Sequence, residues 1–194
     1  MSSTPAKPAT SGGVSNACGE VLNPGCGGRP SGDTAFSGPD GPWHNVVMKL
    51  YIAGPLFTPG ERDYLDRLAE RLSASGHECF VPHQEQSDAL DAPTIFALDS
   101  EGLHDAEAVV AWLDGPMVDD GTACEIGVFT ELVRTRPDRY RGIIGLATDW
   151  RVWRRRDQGM GDGGINFFVG GAILEYGRLV WSIEEVESTL GEWA

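Results

Sequence analysis

Ala106-Glu107-Ala108-Val109-Val110-Ala111-Trp112-Leu113-Asp114-Gly115-Pro116-Met117-Val118-Asp119-Asp120-Gly121-Thr122-Ala123-Cys124-Glu125-Ile126-Gly127 is the stretch that decides how this chain is read. Its first part, Ala106 to Leu113, has the length and apolar content of a buried strand. Its last part opens a helix expected from about Thr122 to Arg134. Four carboxylates, Asp114, Asp119, Asp120 and Glu125, fall within twelve residues at this strand-to-helix turn. Open α/β sheets bind ligands there, beyond the carboxyl ends of their strands. Like charges so crowded cost free energy unless they have partners or a task. Glu125 is taken as the centre of that task.

Outward from this turn, strands and helices alternate. Leu50 to Ala53 reads as a strand closed by Gly54-Pro55, and Tyr64, Leu65, Leu68 and Leu72 have helical spacing up to a C-cap at Gly76. Glu78 to Val81 is a second strand, broken by Pro82-His83, and a helix is expected over Thr94 to Asp105. Downstream come a strand at Gly142 to Leu146, an Arg- and Gly-rich loop to Gly164, and a helix over Asn166 to Tyr176. A short strand at Leu179 to Trp181 and a helix over Ile183 to Leu190 end the chain. This alternation predicts an α/β fold, a parallel sheet of about five strands with helices on both faces. One domain is expected over residues 48–194. Residues 1–47, rich in Gly, Ser and Pro and without periodicity, are expected to be a disordered tail, and Met48 is a candidate start of the folded pattern.

Composition narrows the function. Of 194 residues, 41% are hydrophobic and 23% charged, which is ordinary for a soluble globular protein. A net charge of −14 repels nucleic acid and anionic membrane surfaces, so neither is expected as a partner. The basic residues Arg134, Arg136, Arg139 and Arg141, then Arg151, Arg154, Arg155 and Arg156, are read as a solvated face, with a phosphate patch as the alternative. Cys18 and Cys26 are expected as reduced thiols in a cytoplasmic protein, and Cys79 and Cys124 sit in core-like apolar surroundings. No run approaches the roughly 18 apolar residues of a membrane span, and no signal peptide is visible.

The turn after the first strand, Ala53-Gly54-Pro55-Leu56-Phe57, lacks the glycines and Lys of a phosphate-binding loop. An acidic site suits a polyol or a base better than a triphosphate, although Mg²⁺ also favours carboxylates. Lys49-Leu50-Tyr51-Ile52-Ala53-Gly54-Pro55-Leu56-Phe57, Asp119-Asp120-Gly121-Thr122-Ala123-Cys124-Glu125-Ile126-Gly127 and Ile165-Asn166-Phe167 together resemble the nucleoside 2-deoxyribosyltransferase family. The similarity spans residues 49 to about 180. It implies a flavodoxin-like, doubly wound sheet and a two-step displacement through a covalent glycosyl-enzyme on Glu125, with no metal or cofactor. Glu125 in the first turn of its helix would be held anionic by the helix dipole. By position in the motifs, Asp99 would handle protons on the base and Tyr51, at the end of the first strand, would orient the nucleophile. Asp119 would touch the sugar hydroxyls, and Asn166 would reach the pocket of a neighbouring subunit, which implies a homo-oligomer, at least a dimer. Asp114, Phe57 and Gly54 would line the pocket, with Phe57 as a base-stacking wall. Substrates would be nucleosides and free nucleobases. The first loop departs from nucleotide-cleaving relatives in offering only Arg62 to a 5′-phosphate.

Simpler roles compete for each residue. Thr122-Ala123-Cys124-Glu125 fits a capping box, in which Glu125 merely closes the helix start. Asp119, Asp120 and Asn166 suit helix caps or turns. Asp99 could be solvated and Tyr51 a half-buried strand aromatic. His83 and His104 read as surface or capping residues, Phe167-Phe168 as core or interface, and Cys124 lacks the partner base of a thiol nucleophile. A hydrolase acting on a nucleoside or a 5′-monophosphate, and a non-catalytic nucleotide-sensing module, are the alternatives to base transfer.

Overall fold

In the computed structural model the run Ala106 to Leu113 yields β3, Ala108–Trp112, shorter at both ends than its apolar sequence. The Ala106 N–H still bonds Gly102 O of the preceding helix, and Glu107 N bonds Lys49 O before the ladder proper begins. The structure describes residues 47–85, 91–154 and 164–194. Residues 1–46, with the expected tail and the thiols of Cys18 and Cys26, lie outside the described residues.

β3 is the middle strand of a five-stranded sheet. β1 (Lys49–Ala53) and β2 (Glu78–Phe80) lie on one side of it, β4 (Gly142–Leu146) and β5 (Gly177–Val180) on the other, in the order β2-β1-β3-β4-β5. Every pairing is parallel, with Tyr51 opposite Val109 and Val110 opposite Ile144. This is the flavodoxin-like strand order. Residues Ala108 to Ala111 are buried on both faces, so the strand is apolar throughout rather than alternating.

Two helical layers account for that burial. α1 (Pro59–Ala74) presents Leu65, Leu68, Ala69 and Leu72, a stripe at helical spacing, to Leu50, Ile52 and Val110. α6 (Ile183–Trp193) adds Val186 and Leu190 to the same core, and runs beyond the expected end at Leu190. On the opposite face α2 (Ala92–Asp105), α3 (Asp120–Thr135) and α5 (Phe167–Glu175) cover Tyr51, Ala53, Val109 and Ile143 with Leu103, Ile126, Phe129, Val169 and Ile173. Each fully buried Leu, Ile, Val or Phe contributes about 1.5–3 kcal/mol before conformational entropy is subtracted.

Several details depart from the sequence expectations. Pro82–Gln84 forms a 3-10 turn, and the Arg-rich loop after β4 holds a short helix, α4 (Arg151–Arg154). Arg151 is fully buried, so the second basic cluster is not simply a solvated face. In the first cluster Arg136 and Arg139 lie over the ring of Tyr140, and Arg134 pairs with Glu131 at the surface. Cys124 is exposed, outside the apolar surroundings expected for it, whereas Cys79 is partly buried and packs against the core on the α1 side.

Because the chain goes from β1 outward to β2 and then crosses to β3 on the other side, the strand order reverses between β1 and β3. Their carboxyl ends, Ala53-Gly54 and Trp112-Leu113-Asp114, bound the crevice where ligands settle in such sheets.

Candidate active site

The site starts with the cap of α3. Asp119 is the N-cap: its Oδ2 accepts the Thr122 N–H at 2.9 Å and the Thr122 hydroxyl at 3.1 Å. Thr122 is therefore inside the helix and buried, and the capping box built on Thr122 and Glu125 does not form. Asp119, Asp120 and Thr122 are all good caps, and the burial of Thr122 rules it out as the one that begins the helix. The earlier start places Glu125 in the second turn, next to the buried Ile126.

From there Glu125 points at the sheet. The Tyr51 hydroxyl donates to Glu125 Oε1 at 2.7 Å. Tyr51 lies at the middle of β1, not its end, and is fully buried on the face that α2 and α3 cover. Burial raises the Glu125 carboxyl to about 7, opposed by the Tyr51 hydrogen bond and reinforced by repulsion from Asp99 and Asp119. The expectation that the helix dipole holds this group firmly anionic is thus overturned, since dipole effects fade beyond the first turn and desolvation wins. The Tyr51 phenol is pushed far above its ordinary value by burial, and further by Glu125 and Asp99, so it stays a neutral donor.

Asp99 is carried by α2. It is partly buried, and burial raises its carboxyl above the ordinary value. Its field acts on both Tyr51 and Glu125, so the structure brings together three of the residues singled out from sequence. Their spacing depends on the aromatic layer beneath. Tyr51 stacks on Phe80 at 5.2 Å between ring centroids, and Phe80 lies against Gly102 of α2, where an added Cβ would sit 2.6 Å from the ring.

Other candidates serve the scaffold or stand exposed. Both oxygens of Asp114 are engaged by Thr148, Oδ1 by its N–H at 2.6 Å and Oδ2 by its hydroxyl at 2.5 Å. Gly54 permits close packing, as a Cβ there would lie 2.8 Å from Leu65 Cδ2 and 3.3 Å from Trp112 Cβ. Asp120 bonds the Gly121 N–H of its own turn. Phe57 stands 72% exposed in the loop between β1 and α1. Asn166 is exposed and caps α5 through a 2.9 Å bond from the Phe168 N–H. Phe167 and Phe168 beside it are exposed at 73% and 85%, which excludes a core role within the chain.

Both candidate histidines, His83 and His104, lie apart from the Glu125–Tyr51 pair in their bonding. His83 is nearly buried and shares Asp66 Oδ1 with Gln84, so it is no simple surface residue. His104 is exposed, with Nδ1 2.6 Å from Ser100 O. Among the described residues no group of three or more His, Cys, Asp or Glu side chains is arranged to hold a metal ion. Sequence reading passed over the pairing of Tyr64 with Trp112, whose rings stack at 4.1 Å and pack against the core on the α1 side, with Trp112 beside Gly54. It also missed Thr148, Asp149 and Arg151 after β4. A Trp at a strand end followed by an acidic turn is a signal for the former, whereas nothing local marks the latter.

Known proteins share this arrangement of chain. The nucleoside 2-deoxyribosyltransferase family model matches residues 50–167, more than half of the chain, and covers Tyr51, Asp99, Asp119, Glu125 and Asn166. An uncharacterized protein, UU063, of Ureaplasma parvum serovar 3 (strain ATCC 700970) is 29% identical over 140 residues, covering 66% of this chain and 85% of that protein. A conserved protein of Enterococcus faecalis V583 superimposes with a TM-score of 0.61 at 25% identity, over 77% of this chain and 100% of that one. The 2-desoxiribosyltransferase of Leishmania mexicana superimposes with a TM-score of 0.52 at 22% identity, over 74% of this chain and 96% of the other, a likeness of fold. Among the described residues no helix is long and apolar enough to cross a membrane. By the family match over its sheet and its acidic turn, the chain belongs to the nucleoside 2-deoxyribosyltransferase family.

Proposed function

We propose that this protein transfers the deoxyribosyl group of a 2′-deoxynucleoside from one base to another through a covalent ester on Glu125. The observation that carries the reading is the 2.7 Å bond from the buried Tyr51 hydroxyl to Glu125 Oε1. It fixes one carboxylate oxygen and leaves Oε2 to attack the anomeric carbon. In the first step the C1′–O bond to Glu125 forms as the C1′–N bond breaks. The bonding pair leaves with the base, which takes a proton from Asp99. In the second step a new base attacks C1′, the ester bond breaks, Glu125 recovers its pair, and the proton of the incoming base passes to Asp99. Two inversions give net retention. A carboxyl titrating at about 7 is substantially ionised at neutral pH and still a fair leaving group. Asp119, joined by Asp99 as it gives up its proton, adds the negative field that a cationic, oxocarbenium-like transition state requires.

The first loop favours nucleosides over 5′-monophosphates. The start of α1 is occupied by a capping box, Thr58 N–H to Glu61 Oε2 at 2.7 Å and Glu61 N–H to Thr58 Oγ1 at 3.2 Å, which places a carboxylate where a phosphate would need donors. Arg62 Nη1 is spent on Leu56 O at 2.8 Å. Asn166 in this reading serves the pocket of a neighbouring copy, supported by its exposure and by the flanking Phe167 and Phe168. The protein would then be a homo-oligomer, and activity that sediments with a monomer would remove this part of the proposal.

Incubation with deoxyinosine and adenine, followed by chromatography, tests the reaction. New deoxyadenosine is the expected product. Hypoxanthine and free sugar alone would make the protein a hydrolase, and no turnover would favour a binding module. Glu125→Ala should abolish turnover, and full activity in that variant would refute Glu125 as nucleophile.

A further inference from the structure

We infer that Arg151 is a positioning residue that holds the acidic turn and the Asn166 loop in register across the top of the sheet. Its side chain is 0% exposed, and its guanidinium reaches three separate segments. Nη2 donates to Gly115 O at 3.0 Å, in the turn that leads to Asp119. Nε and Nη2 donate to Gly164 O at 3.3 and 3.2 Å, two residues before Asn166. Nη1 pairs with Asp149, whose Oδ2 also accepts the Gly115 N–H at 3.2 Å and whose Oδ1 accepts the Arg151 N–H at 3.0 Å. Arg151 and Asp149 thus hold Gly115 by both its N–H and its carbonyl. Thr148, one residue earlier, holds both oxygens of Asp114. Three residues of the short stretch after β4, Thr148, Asp149 and Arg151, therefore tie down the β3–α3 turn, and the last of them also ties down the entry to α5.

A buried charge is retained only with partners, and Arg151 has an anion and two carbonyls arranged around a planar fork. Lysine, a single point donor, cannot span the same three segments. The two loops it joins carry the groups assigned above to the sugar, Asp119 and Asn166. Glu125 itself is anchored separately, by Tyr51 and by the packing of Ile126 and Phe129. The inference rests on the deoxyribosyl-transfer reading for its kinetic consequence. Loss of Arg151 should weaken sugar binding in ground and transition states alike, which appears in KM rather than kcat.

The test compares wild type with Arg151→Lys and Asp149→Asn in deoxyinosine–adenine exchange, with amide hydrogen exchange measured on the same proteins. Arg151→Lys is expected to raise KM for deoxyinosine about tenfold or more with kcat within about threefold. Amides of residues 113–119 and 164–168 should exchange about tenfold faster, with β1 protection unchanged. Unchanged exchange in either segment, or a loss confined to kcat, overturns the inference. Should Arg151→Lys fail to fold, Asp149→Asn carries the same readouts, because it removes the anion and keeps the arginine. If wild type shows no turnover, the transfer reading fails while hydrogen exchange still decides whether Arg151 couples the two loops.

Discussion

Replacing Glu125 by Gln should make the protein more stable, and only at high pH. Gln keeps an oxygen that accepts the Tyr51 O–H and discards the charge. In the folded protein the carboxyl titrates at about 7 against an ordinary 4.5, so the native state prefers the protonated form. Because the folded value is the higher one, this preference supports wild type fully below pH 4.5 and is lost as pH rises through 7. The two values differ by about 2.5, and at 1.36 kcal/mol for each the ionised wild type forfeits about 3 kcal/mol by pH 8.5. Water reaching a partly exposed side chain makes that an upper figure. For a domain of this size about 2–4 °C accompanies each kcal/mol. The Gln variant is therefore expected to melt several degrees above wild type at pH 8.5 and to coincide with it near pH 4. Calorimetric melts of both proteins across this range provide the assay. A difference that does not vary with pH, or a Gln variant less stable than wild type at pH 8.5, would refute burial as the dominant influence on Glu125.

Tyr51→Phe removes a bond that favours the carboxylate, so the acidic limb of the kcat/KM profile should move upward from about pH 7, by on the order of one pH unit. A limb that stays in place would show that the hydroxyl does not act on Glu125. Thr148→Val keeps the side-chain shape and the N–H bond to Asp114 Oδ1 but removes the hydroxyl bond to Oδ2, and should cost about 1–2 kcal/mol in denaturant unfolding.

How much of this could be read from residues alone differs between fold and site. β3 and β4 announce themselves because Val109-Val110 and Ile143-Ile144 are buried on both faces, and a strand so placed has no alternative composition. The α1 stripe is equally plain. Boundaries were less legible, since Ala106 satisfies the end of α2 before β3 begins, a hydrogen bond that no local pattern encodes. In the site, Tyr51, Asp99 and Glu125 could be singled out by motif, and they do converge. The charge state of Glu125 could not, because it depends first on burial in the assembled fold and then on neighbours 26 and 74 positions away in the chain, Asp99 and Tyr51. Arg151 was hidden for a related reason. Within a run of arginines nothing distinguishes the one that points inward, and its partners Gly115 and Gly164 are backbone carbonyls that sequence cannot flag.

Gly102 gives the site a setting that none of its polar residues controls. Helix α2 rests on the Phe80 ring at a point where it has no side chain, and Asp99 sits one helical turn upstream on the same rod. A methyl group at position 102 would act as a shim, lifting the helix off the ring and taking Asp99 away from Glu125 and Tyr51. The repulsion between the two carboxyls would then be weaker, and Glu125 would titrate lower. The acidity of Glu125 is thus adjusted in part by the thickness of a hydrocarbon contact, and a relative carrying Ala or Ser at this position should run its chemistry at a more acidic pH.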